Sequence, residues 1–441
     1  MKTRRASWAL VACATAAATL LACDDGTAPA GPPAAISVVS GNDQQAVVAT
    51  TLAQPIAVKV LDAQDRPVPG VLVTFHVTSG GGSVALGAAD TDGDGVAREF
   101  WTLGTSTSAA QALEARVSGG ATLLSTTVTA TAQPAPPASI TVVSGSGQSA
   151  TVASALGAPL VARVDDHHGN PVPGVVVTFA VATGSMAGAA ATTSANGLAT
   201  SGTWTLGTVA GTQSATASAP GVSGTAGFTA TANASAATKL LIASAVQSAI
   251  ASGTRFFPEI VVRAYDQHNN ATTHEGAVVM ASLSSGNAVL AGQTQVTLAA
   301  GSAVFPTLEV WGQVGTVTVQ FSATGLIPTT TGSVTVTPGI PAQLHKVSGD
   351  AQSDTTNAHL NPPVVRMTDA SGNPLGGVTI IFEVVTQGIV AGGTQVTNAD
   401  GLASPTSWRA GASPGTHTLR ARQDNSAGVQ PVTFSATITT P

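Results

Sequence analysis

DDHHGNPVPGVVVTFAV, residues 165–181, divides into two halves of opposite chemistry. The first gathers Asp, Gly, Asn and Pro, the residues that favour a sharp chain reversal. The second alternates: Val175, Val177, Phe179 and Val181 share one parity, and Val176, Thr178 and Ala180 share the other. Successive side chains of a strand point to opposite faces, so this period of two predicts a turn feeding a half-buried strand.

The same order of signals restarts along the chain. DAQDRPVPGV begins at Asp62, DQHNNATTHEGAV at Asp266 and DASGNPLGGV at Asp369. Gly70, Gly174 and Gly377 follow Asp62, Asp166 and Asp369 at one spacing. The strands beyond them repeat the apolar parity with Val71, Val73, Phe75 and Val77, and with Val378, Ile380, Phe382 and Val384. The face that stays apolar in each repeat is expected inside, and the varying face outside. Upstream, each repeat opens on a similar segment: PPAAISVVSG (32–41), PPASITVVSG (136–145), AATKLLIASA (236–245) and IPAQLHKVSG (340–349). Downstream come second turns, TDGDG, TSANG and TNADG, ending at Gly95, Gly197 and Gly401, and then Trp101, Trp204 and Trp408. Large aromatics at one recurring strand position, in a chain that can form no disulfide within its mature part, are expected in the core. Units of roughly 100 residues made of short strands and frequent turns are the signature of a β-sandwich. No helical periodicity is found after residue 33.

GNPVPGVVVTF, the TSANGLAT turn and TWTLGTVAG of repeat two together resemble the bacterial Ig-like domain of group 1, found in the extracellular rods of invasin and intimin. Repeats one and four are similar to it as well. Repeat three departs: its turn is longer before Gly276, it lacks Pro-Val-Pro-Gly, and Trp311 is shifted. The resemblance implies an all-β fold, four tandem immunoglobulin-like β-sandwich domains in an elongated rod behind a lipoprotein signal peptide. The expected divisions are a signal peptide at 1–22, a lipid tether at 23–33, and domains at 34–133, 138–233, 237–338 and 341–441. Prolines stiffen the linkers around residues 133–137 and 338–341, whereas residues 233–236 have none, so that joint is expected to bend most.

Export is read from the N-terminus. Lys2, Arg4 and Arg5 precede an apolar run from Trp8 to Leu21, a signal-peptide pattern too short to span a bilayer. Leu20-Leu21-Ala22-Cys23 resembles a lipobox, which makes Cys23 the expected lipidation site. The alternative is an ordinary signal peptide with an incidental cysteine. Cys13 lies in the removed segment, leaving one thiol. The chain is thus expected to be exported and lipid-anchored to a bacterial membrane, on the cell surface or the periplasmic side. Only 9% of residues are charged and the net charge is −6, with no basic cluster beyond the signal peptide. That excludes nucleic acid as an expected partner.

Candidate chemistry is sparse. Asp90, Asp92 and Asp94 have calcium-loop spacing, but Trp101 stands where a terminal Glu would be and the aligned turns lack those acids, so a plain turn is the first reading. Gly411-Ala412-Ser413-Pro414-Gly415 matches a nucleophile-elbow pattern without the helix that an elbow requires. The histidines show no metal-ligand spacing; His167 and His168 would point to opposite sides if extended, and His76 is placed outward. A candidate binding loop gathers His268, Asn269, Asn270, His274 and Glu275 beside Phe256 and Phe257. No catalytic residue, cofactor or small-molecule substrate is expected. The reading is a non-enzymatic surface lipoprotein, a spacer or adhesive rod meeting a surface protein or polysaccharide. The alternative is a glycan-binding module array.

Overall fold

The computed structural model describes residues 29–117, 122–424 and 428–441. The segment expected to be a signal peptide and Cys23 lie outside the described residues. Strands are the only regular elements among the described residues, and they close around four separate hydrophobic cores.

Three of the four units share one plan. In the first, Pro33–Ser40, Ile56–Asp62 and Val96–Glu99 form a three-stranded antiparallel sheet. Facing it is a five-stranded sheet in the order Gln44–Val47, Leu124–Gln133, Gln111–Val117, Leu72–Ser79, Ala88–Asp90. Gln44–Val47 runs parallel to the last strand, Gln44 beside Ala130. The second and fourth units repeat both sheets, down to the parallel pairs Gln148 with Ala230 and Gln352 with Ala436. The apolar parity points inward as expected: Val73, Phe75, Val177, Phe179, Ile380 and Phe382 are buried, while Leu72, His76, Val176 and Ala180 are exposed. Trp101, Trp204 and Trp408 are all buried in their cores.

The third unit is the same sandwich with two changes. Its last hairpin breaks at residues 331–333, and Leu326–Thr330 pairs both with Gly315–Ala323 and, in parallel, with Lys239–Ile242, so its two sheets join at one edge. The second change explains the shifted tryptophan. Val84 pairs with Trp101 and Met186 with Trp204, but Leu290 pairs with Val310. Val310 therefore takes the buried place and Trp311, one residue on, faces outward at 38% exposure.

Candidate functional site: the joints between sandwiches

The turn that opened the sequence reading makes the most repeated polar structure in the molecule. Asp62, Asp166, Asp266 and Asp369 are buried at 0 to 3% exposure, an arrangement that costs free energy unless each carboxylate oxygen finds donors. Each aspartate finds four or more across its two oxygens. Asp166 Oδ1 accepts from the N–H groups of His168 (2.8 Å) and Asn170 (2.9 Å), the local bonding that makes Asp a turn residue. Its Oδ2 accepts from Asn170 Nδ2 (2.9 Å) and from the N–H of Ala135 (2.9 Å), which lies in the linker. Ser235 N (3.0 Å) and Gly339 N (2.7 Å) reach Asp266 and Asp369 in the same way, and Gly31 N (2.9 Å) reaches Asp62. The carboxylate thus fastens the segment entering each sandwich to its turn.

The asparagine completes the joint across the boundary. Asn170 Nδ2 donates to Thr105 O (2.8 Å) of the preceding sandwich, and Asn170 Oδ1 accepts from Thr107 N (2.9 Å). Asn270 makes the same pair with Thr208 O and Ala210 N, both at 2.8 Å. Asn373 makes it with Gly312 O (2.9 Å) and Val314 N (2.8 Å). A primary amide has both donor and acceptor on one planar group, so a single side chain closes both bonds while its remaining N–H holds the aspartate. The third boundary adds Ser252 Oγ to Ser371 Oγ (2.8 Å) and Gln313 Nε2 to Ser371 O (2.6 Å).

Burial pushes the four carboxyls up, but the hydrogen bonds outweigh it. For Asp266 the donors are the side chain and N–H of Asn270 and the N–H groups of Ser235 and His268, and together they hold it at about 2. For Asp62 they are the N–H groups of Gly31, Arg66 and Gln64 and the Arg66 side chain, and it too stands at about 2. Asp166 and Asp369 are lowered for the same reason.

The residues singled out from the sequence fall around this plan. Within the candidate loop, Asn270 is a joint residue matched by Asn170 and Asn373, and so is not particular to repeat three. Asn269 takes the left-handed position (φ 68°) that Gly169 and Gly372 hold in its siblings. His268 lends its N–H to Asp266 (2.9 Å), whereas the His274 carbonyl accepts from Gly301 and Glu275 accepts from Ala300 N (2.7 Å). The loop is thereby divided between a joint and a neighbouring turn. Phe256 is a core residue, and only Phe257 of that pair is exposed.

Asp92 accepts from the N–H groups of Asp94 and Val96 (both 3.0 Å) and from Arg98 (2.7 Å). Asn398 performs the same turn bonding in the fourth sandwich. Among the described residues Asp90, Asp92 and Asp94 are not drawn into a group able to hold a metal ion. His167 and His168 lie in a turn rather than in extended chain, and their rings meet at 3.7 Å instead of pointing apart. In the Gly411–Gly415 loop, His417 faces the Ser413 carbonyl (3.0 Å) and accepts from Gly411 N (3.1 Å). It performs the loop-bracing task of Gln111 and Gln213, which accept from Gly104 N and Gly207 N.

In fold, the chain is similar to bacterial adhesins. Solved structures that it resembles include FdeC, an Escherichia coli adhesin, at 21% identity over 68% of this chain and 98% of that one, with a TM-score of 0.37. Invasin, a bacterial integrin-binding protein, aligns at 15% identity over 91% and 78%, with a TM-score of 0.33. InvD of Yersinia pseudotuberculosis aligns at 17% identity over 67% and 96%, with a TM-score of 0.33. No family model matches the chain, and no curated protein does.

Two recurring features of the structure were not among the sequence expectations. One is the joint role of the asparagine. The other is a threonine latch: Thr91, Thr193 and Thr397 are buried, donate to Val68 O, Val172 O and Leu375 O, and accept from Val71 N, Val175 N and Val378 N. The shared Thr opening TDGDG, TSANG and TNADG was the visible signal.

Proposed function

We propose that the chain is a non-enzymatic, exported surface rod that holds its sandwiches in set orientations and serves as a spacer or in adhesion, anchored through a lipid on Cys23. The observation that carries this reading is the Asp–Asn joint, built three times from the same atoms where a freely hinged string of domains needs only a linker. Loops on a rigid scaffold are suited to meeting a partner, here a surface protein or polysaccharide. The test is expression with radiolabelled palmitate followed by protease treatment of intact cells and a cell-attachment assay. Label lost in Cys23→Ser, surface cleavage and attachment above the empty host are expected; an unlabelled chain in the medium with no attachment would sink the reading.

A second reading, a glycan-binding array, draws on the third sandwich, which turns both Trp311 and Phe257 outward. Saturable binding on a glycan array that disappears in Trp311→Ala and Phe257→Ala would favour it.

A further inference from the structure

The joint has a direction, because the second, third and fourth sandwiches offer an asparagine plug at the upstream end, and the first three offer a carbonyl with an N–H, the socket, on the loop at the downstream end. The plug position of the first sandwich and the socket of the fourth are therefore informative. Arg66 N donates to Asp62 Oδ1 (2.9 Å) as Asn170 N does to Asp166, so Arg66 occupies the plug position. Its side chain turns back on Asp62, with Nε at 2.9 Å and Nη2 at 2.8 Å. A guanidinium has donors only, so it cannot accept the N–H that a socket presents.

At the other end, the loop Gly411-Ala412-Ser413-Pro414-Gly415 matches Gly207-Thr208-Val209-Ala210-Gly211. Both are braced at the first glycine by the following strand, and both end on a glycine at positive φ, 136° and 124°. Pro414 therefore stands where Ala210 donates its N–H to Asn270, and proline has no N–H.

We infer that the four sandwiches form a chemically closed series, in which Arg66 removes the acceptor half of the joint from the upstream face and Pro414 removes the donor half from the downstream face. A further sandwich of this kind, offered to either face, would meet one missing partner. This holds whatever the rod binds.

The test transplants each outer feature into the middle joint of the full chain. The described residues contain no cysteine, so cysteines introduced at the exposed positions Val176 and Val289 can carry a pair of spin labels across that joint. The unmodified joint is expected to give one narrow distance. Asn270→Arg and, separately, Ala210→Pro are expected to lose it to a broad distribution, while Ala210→Gly, which keeps the N–H, stays narrow. Proline is accepted in the matching loop of the fourth sandwich, so the loop itself can hold it, and unchanged circular dichroism would show that both sandwiches remain folded. A distance that stays narrow in Ala210→Pro or in Asn270→Arg would overturn the inference, as would equal broadening in Ala210→Gly.

Discussion

A buried carboxylate persists only where donors replace the water it has lost, and the four turn aspartates are met by backbone and side-chain N–H groups that only folding brings into place. Their folded carboxyls are lowered, Asp62 and Asp266 to about 2, so the folded state binds fewer protons than the unfolded one in moderate acid. The contribution to stability is complete above the unfolded carboxyl value of roughly 3.9 and is lost as the pH falls through that value toward about 2. Urea midpoints of the full chain are expected to drop across that window, and Asp266→Asn to show a shallower drop from a lower starting midpoint. A midpoint independent of pH in that window would contradict this. The turn was legible in the sequence because its bonds are local, from Asp to the N–H groups two and four residues on. The joint was not, because Asn170 and Asn270 meet backbone atoms 65 and 62 residues away, and a carbonyl or N–H carries no side-chain signature.

Among the elements, strands were legible wherever one face is buried, since alternation then writes itself into the sequence; Val71 to Val77 and its siblings are the case. What alternation cannot reveal is a slip of one residue without a reference position, which is why Trp311 could be seen as shifted but not as outward. Its ring lies over Gly253 (φ 83°), where a Cβ would come 3.1 to 3.3 Å from three ring atoms. Ala49 and Ala153 hold the corresponding left-handed position in the first two sandwiches (φ 60° and 59°), so an alanine backbone is acceptable there. Gly253→Ala is therefore expected to displace the indole rather than unfold the sandwich, read as a shift in iodide quenching of tryptophan fluorescence, because the other tryptophans of the described residues are buried. Unchanged quenching would contradict that. The threonine latch supports a stability prediction: Thr193→Val keeps the shape but leaves Val175 N and Val172 O without their partner, at about 1–3 kcal/mol. Chemical denaturation of the full chain should show one transition moved to lower urea.

For the whole molecule, the sequence singled out the middle joint as the one to bend, from its lack of proline. The structure gives that joint the same pair of asparagine bonds as the others, so linker composition alone does not rank them. The two contributions combine when the amide is removed. Asn170, Asn270 and Asn373 each close two bonds across a boundary, worth about 0.5–1.5 kcal/mol apiece. After substitution by alanine, the first joint retains its prolines, Pro134, Pro136 and Pro137, and the third retains the Ser252–Ser371 and Gln313–Ser371 bonds besides Pro338 and Pro341. The middle joint retains neither. Asn270→Ala is thus expected to loosen the rod most, Asn170→Ala less and Asn373→Ala least, with the sandwich cores untouched in all three. Small-angle scattering should follow that order in the spread of conformers needed to fit each curve, while melting temperatures stay close to the parent's. If the three variants scattered alike, or if Asn373→Ala were the most flexible, the joints would not share their strength between amide and linker in this way.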